Sequence, residues 1–294
     1  MTIPGQQVAS GTWAGVLGAS LAFAASQVTA GLVKPPGRPV NRILLLGASN
    51  LTLSLRTVID LAQQCCGGPS DVQVAAGHGR SYGAASQVLI RGLPGITCCA
   101  LWSRLDAVEH LPTYALLTDI GNDIPYGIDP QRLLSWVNWC IDRIQDHTAQ
   151  IVMTNLPIAT IESLSEAHYR IVRGVFFPFC RLSLRDVVER ANVVHQGLAD
   201  IARDRRVILI ESESEWFGPD AIHVLPWKRK AYYRRACGRL QTADQDPLNG
   251  REPGRTPLAW LRRPRFEQMT LLGRQRCQPQ PSGRLSDGSL VSLY

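Results

Sequence analysis

Four short clusters in this 294-residue chain carry side chains suited to nucleophilic catalysis. Ser49 stands in Gly47-Ala48-Ser49-Asn50, directly after an apolar run and ahead of helical periodicity. A serine exposed where a strand turns into a helix has the helix dipole beside it and becomes a nucleophile when a base reaches it. The same residue type also caps helices, and a glycine-led turn also cradles phosphate. Asp220 precedes His223 by three residues, so its carboxylate can meet Nδ1 across one turn, fix the tautomer and leave Nε2 as a base. Solvated Asp/His pairs share that spacing. Asn122, in Ile120-Gly121-Asn122-Asp123, offers an amide donor to a developing oxyanion, or simply makes a turn. Gly79, in Gly77-His78-Gly79-Arg80, offers a backbone N–H. His78 and Arg80 either line a pocket or are solvated turn residues.

Strands and helices must alternate for these clusters to meet. Short apolar runs at Arg42–Leu46, Val72–Ala76, Ala115–Ile120, Ile151–Asn155 and Val207–Ile210 predict five strands. Helical spacing follows the first run from Leu51 to Cys66 and is stopped by Gly67-Gly68-Pro69. It recurs from Leu133 to Ile144, opened by Asp129-Pro130, and from Val187 to Ala202. Alternation of this kind predicts a parallel sheet covered on both faces, with ligands beyond the carboxyl ends of its strands. Each of the four clusters follows an apolar run, so all four are expected on one edge.

In order and placement these clusters resemble the SGNH hydrolase superfamily, the GDSL-like esterases and lipases. The first block is similar to Gly47-Ala48-Ser49-Asn50-Leu51, the second to Gly79, the third to Ile120-Gly121-Asn122-Asp123 and the fifth to Asp220-Ala221-Ile222-His223. The resemblance covers residues 41–240 and implies a three-layer α/β/α sandwich with a five-stranded parallel sheet, in agreement with the strand count. It implies Ser49 as nucleophile, His223 as general base and Asp220 as the residue that orients it. The oxyanion hole it implies consists of the Ser49 N–H, the Gly79 N–H and the Asn122 amide. Two positions depart from the family pattern: Ala48 where an aspartate usually precedes the serine, and Ile120 where a glycine usually stands. The implied activity is cleavage of a carboxylic ester or O-acyl group on a small molecule or carbohydrate. The same triad would also serve an O-acyltransferase, and a degenerate relative would instead bind an anionic partner.

Composition excludes other classes. Of the net charge of +7, +2 falls on residues 1–40, +6 on 228–239 and +3 on 241–294, which leaves −4 for the rest. A basic nucleic-acid groove through the core is therefore not expected. No C-x-x-C occurs among the eight cysteines, and no histidine has zinc-ligand spacing from one. Neither a P-loop nor a Gly-x-Gly-x-x-Gly is present, so no cofactor and no metal are expected. Buried thiols fit a reducing, cytoplasmic setting. Residues 1–40 read as a poorly ordered leader, with an export signal or membrane anchor as the alternative that the uncharged stretch leaves open; the positive start of an export signal is missing. Residues 241–294, rich in Pro, Gly and Arg, read as a flexible tail. The basic 228–239 helix is a candidate membrane-surface contact, or a solvated face over a packed apolar stripe. The aromatic stretch Phe176-Phe177-Pro178-Phe179, with Tyr169, reads as a lid or acyl-binding wall, or as local core packing, the commoner fate of such clusters.

Overall fold

The structure, a computed structural model, describes residues 37–107, 110–147, 150–241 and 257–294. The expected leader lies outside them up to residue 36. Strand β1 (Asn41–Leu46), helix α1 (Ser49–Cys66) and strand β2 (Ser70–Ala75) form the first unit. A hairpin of β3 (Ser86–Val88) and β4 (Arg91–Leu93) follows, then α2 (Leu101–Ala107) and β5 (Thr113–Leu117). A 3-10 turn over Ile120–Tyr126 leads to α3 (Pro130–Gln145) and β6 (Gln150–Thr154). Helices α4 (Ile158–Glu162), α5 (Glu166–Phe176) and α6 (Leu184–Arg205) precede β7 (Ile208–Ile210) and α7 (Arg229–Cys237). The chain ends in β8 (Trp260–Arg262), β9 (Gln268–Leu271), β10 (Arg274–Cys277), β11 (Gly283–Leu285) and β12 (Leu290–Leu293).

The apolar runs form the central layer because both of their faces are covered. Successive side chains of a strand point to opposite faces. Leu44 and Leu46 of β1 pack with α2, α3 and α6, whereas Ile43 and Leu45 pack with α1 and α7. All four are fully buried, each worth roughly 1.5–3 kcal/mol of transfer free energy. Local signals set the helix starts. Asp129 Oδ1 accepts the Gln131 and Arg132 N–H groups at 2.9 and 3.2 Å to open α3. Ser183 and Asp186 form a reciprocal capping box on α6.

The main sheet has the order β7-β6-β5-β1-β2-β12-β11-β8. Its first five strands are the five expected from sequence, all parallel. The sheet is wider than the five-stranded expectation because the last part of the chain adds to the free edge of β2. There β12 pairs in parallel, with Val291 opposite Val72, and β11 and β8 continue antiparallel. This corrects the reading of residues 241–294 as a flexible tail, from residue 257 onward. Leu258, Leu285, Val291 and Tyr294 are buried, and the fully buried Arg80 guanidinium donates to the main-chain oxygen of Tyr294. The remaining strands form a second, antiparallel sheet in the order β10-β9-β4-β3.

The apolar side of α7 is used inside the protein. Tyr232, Tyr233, Ala236 and Cys237 are buried, while Lys228 pairs with Glu215 at 3.0 Å and Arg235 with Glu213.

Candidate active site

Strand order places the site. Chain direction across the sheet reverses at β1, with β2 on one side and β5 on the other, and ligands bind open α/β sheets at such a point. Ser49 follows β1 and Asn122 follows β5, and these strands are paired with Leu46 opposite Leu117. Gly47 permits the close approach: a Cβ there would lie 2.7 Å from Thr118 Cγ2. Ser49 is the first residue of α1, so its N–H has no intrahelical acceptor.

The serine turn is held by two residues to which the sequence reading gave no role. Asp119 sits in the left-handed region at φ 59°, just past β5. Its carboxylate accepts the Ala48 N–H at 2.8 Å, the Leu51 N–H at 3.2 Å and Asn50 Nδ2 at 2.9 Å. Asn50 also donates to the Ile222 carbonyl at 3.0 Å and accepts the Val224 N–H at 2.9 Å. One buried amide thus binds the residue after Ser49 to the two residues that flank His223. An Asn after the serine and an Asp at the strand end were visible as types. Their partners lie about 70 and 170 positions away, so no local pattern pointed to them.

Asp220 Oδ2 and His223 Nδ1 are 2.7 Å apart, and Asp220 Oδ1 accepts the Ile222 and His223 N–H groups at 3.0 and 2.9 Å. Burial by itself raises the Asp220 carboxyl. The hydrogen bonds from His223 and Ile222 outweigh it and hold this carboxyl below the usual value. The His223 ring leans on Phe176, with centroids 5.3 Å apart. His78 is close enough to be affected: burial, then Arg91 and His223, lower its pKa.

Ser49, Asn122 and Asp220 line one cavity of about 110 Å³, while Gly79 and His223 stand outside its wall. The Ser49 hydroxyl makes no hydrogen bond among the described residues, so a Ser49–His223 proton path is not closed here. Asn122 Nδ2 donates to the Arg80 carbonyl at 3.0 Å, and the same amide faces the Tyr126 phenol. Gly79 has φ +65°, and a Cβ there would meet Val88 Cγ2 at 2.3 Å. Its carbonyl accepts the Tyr126 hydroxyl at 2.7 Å, which ties this turn to the element that carries Asn122. Asp123, of the same block, faces away from chemistry: Ser81 Oγ donates to it, as does the Tyr82 N–H at 3.0 Å. Arg80 does not line the cavity; its Nε donates to the Pro94 carbonyl at 3.1 Å.

Ile124, Leu156, Tyr169, Val172, Phe177 and Ala191 give the cavity an extended apolar wall, which Asn50, Asp119, Thr154, Asn155 and Arg173 interrupt. The aromatic stretch is not simply core, correcting that reading. Phe177 lines the cavity, whereas Phe176 and Phe179 are 47% and 94% exposed. Helix α5 ends at Phe176, and Phe177 and Cys180 beyond it line the cavity.

No family model matches the chain. Over 96 residues it is 35% identical to a protein named phosphate acyltransferase from Shewanella loihica; the match takes in 33% of this chain and 25% of that one. The chain thus spans about a quarter of the length of this curated relative. Similar solved structures include the psychrotrophic esterase EstA from Pseudoalteromonas, at 15% identity over 68% of this chain and 96% of that one, with a TM-score of 0.40. The native aryl esterase of M. smegmatis is 14% identical over 67% of this chain and 94% of that one, with a TM-score of 0.43. A lipolytic protein of the G-D-S-L family from Veillonella parvula is 11% identical over 67% of this chain and 94% of that one, with a TM-score of 0.41.

Proposed function

We propose that this chain is a serine hydrolase that cleaves carboxylic or O-acyl esters through an acyl-enzyme on Ser49. One observation carries the reading: the Asn50 amide joins the serine turn to the two residues that flank an imidazole already paired with Asp220. Ser49 Oγ attacks the ester carbonyl while His223 Nε2 takes its proton, a contact that closes when substrate fills the cavity. Asp220 keeps the proton on Nδ1 and stabilises the imidazolium. The Ser49 N–H, the Gly79 N–H and the Asn122 amide receive the oxyanion. His223 then protonates the leaving alcohol, and water releases the acid in a second turn of the same steps. The apolar wall supports an aliphatic or aromatic acyl group in the cavity, with the alcohol toward solvent. The missing aspartate at Ala48 fits the same reading, because the Asp119 carboxylate reaches the Ala48 N–H from the neighbouring strand.

Labelling by a fluorophosphonate probe tests the nucleophile, with Ser49→Ala as control. Labelling of the wild type that vanishes in the variant supports the reading, and equal labelling of both removes it. Asn122→Ala should lower kcat about 10²–10³-fold with KM little changed.

Acyl transfer to an alcohol is the second reading, since the same Ser49, His223 and Asp220 would serve it. It uses the same acyl-enzyme and differs only in the acceptor. Products formed with an added sugar or glycerol separate the two: a new ester means transfer, free acid alone means hydrolysis.

A further inference from the structure

Large apolar side chains crowd the rim of the site on two separate elements. The β3–β4 and β9–β10 hairpin tips present Leu89 and Leu272, 89% and 70% exposed. Both occupy the left-handed region, at φ 52° and 50°, where a branched apolar residue is strained and Asn or Gly is at ease. The Leu272 N–H donates to the Ile90 carbonyl at 2.9 Å, which sets the two tips side by side. Across a groove stand Val175 and Phe179, 67% and 94% exposed. Phe177 and Cys180 line both this groove and the Ser49 cavity, and Phe176 touches His223. Apolar exposure on this scale, continuous with a site and held in strained turns, marks a binding surface.

Charge identifies what binds. The four-stranded sheet carries Arg91, Arg274 and Arg276 and no acid in its two hairpins, residues 86–93 and 268–277. Residues 167–185 carry Arg170, Arg173, Arg181 and Arg185 and lie between Glu166 and Asp186. A second copy of the chain docked face to face would set seven arginines against the same seven, with only Glu166, Asp186 and Glu267 at the borders of these stretches to answer them. An anionic surface with an apolar interior complements both features at once. We propose that this rim, Leu89 and Leu272 with Phe179, docks on an anionic phospholipid bilayer. The apolar tips enter the headgroup boundary and the arginines meet lipid phosphates. The contact is peripheral, since no helix among the described residues is long and apolar enough to cross a membrane. Docking brings the cavity mouth to the interface; only the consequence, delivery of a membrane-borne ester to Ser49, rests on the proposed hydrolase.

Co-sedimentation with phosphatidylcholine vesicles, with and without phosphatidylglycerol, tests the surface independently of catalysis. Wild type and Ser49→Ala should sediment alike with the anionic vesicles, far less with neutral ones, and less as salt rises. Leu89→Asn with Leu272→Asn relieves the strained turns, so this variant should fold at least as stably and yet partition roughly tenfold more weakly. Adding Phe179→Ser should weaken it further. Arg181→Gln and Arg274→Gln should each lower anionic-vesicle binding about fivefold. Wild type left in the supernatant with anionic vesicles, or a folded Leu89→Asn/Leu272→Asn protein that binds as well as wild type, overturns the proposal. So does a dimer that these substitutions dissolve in the absence of vesicle binding, which would assign the face to a second copy. Hydrolysis of a water-soluble ester reports on the Ser49 reading separately and should not change in the tip variants.

Discussion

Asp119 and Asn50 meet side chain to side chain at 2.9 Å, across the two paired strands that bear the proposed nucleophile and the proposed oxyanion amide. Asn50 alone could not fix the turn, because it also holds the chain at Ile222 and Val224. Asp119 acts as a positioning residue with three donors on one carboxylate.

Asp119→Asn replaces one acceptor oxygen by a donor that faces N–H groups. Stability should fall by about 1–3 kcal/mol for the groups left unpaired. The kcat of ester hydrolysis should fall with little change in KM, since the cavity wall stays intact. Urea unfolding together with steady-state kinetics reads both. A variant that loses stability but keeps wild-type kcat would show that Asp119 supports only the fold.

At Asp220 the hydrogen bonds outweigh burial and depress the carboxyl. A depressed folded-state value means a stability contribution that is present above the ordinary carboxylate range and lost as pH falls through the folded value. Asp220→Asn should remove this acid-side dependence and reduce kcat by up to roughly 10⁴-fold through the wrong imidazole tautomer. Activity within tenfold of wild type would argue against a role in orienting His223.

Asp123 behaves in the opposite sense. Burial raises its carboxyl from 3.8 to about 6, against the hydrogen bonds from Ser81 and Tyr82. A raised folded-state value gives stability that is full below the unfolded value and lost as pH climbs through the folded one. Wild type should therefore lose stability relative to Asp123→Asn between about pH 4 and about pH 7, by up to on the order of 3 kcal/mol. Chemical denaturation of both proteins across this range measures it. A pH-independent difference would mean that Asp123 is ionised throughout.

Ala191 faces the cavity from α6 and is fully buried. Ala191→Phe should fill much of the apolar volume and shift preference toward short acyl groups, lowering kcat/KM for an octanoyl ester far more than for an acetyl ester. An unchanged chain-length profile would place the acyl group elsewhere. Ala191→Leu, a smaller intrusion, should give an intermediate profile and guards against misfolding through overpacking.

Local rules made much of this molecule legible in its sequence. Continuous apolar runs marked five parallel strands because both faces of each are covered, and Asp129-Pro130 marked a helix start from neighbouring residues alone, whereas the Ser183 cap of α6 became apparent only in the structure. The Asp220–His223 contact is equally local, since three residues in a tight turn set its distance. Tertiary structure decided the rest. Of residues 257–294, β12, β11 and β8 extend the free edge of β2 and β9 and β10 extend the β3–β4 hairpin, pairings that a composition of Pro, Gly and Arg does not announce. Phe177 lines the cavity while Phe176 and Phe179 stay exposed, a division among adjacent aromatics that their type does not announce. The work of Asp119 and Asn50 needs partners brought from about 70 and 170 positions away. Short-range periodicity carries the secondary structure, whereas hydrogen bonds between distant segments exist only once the sheet has chosen its strand order.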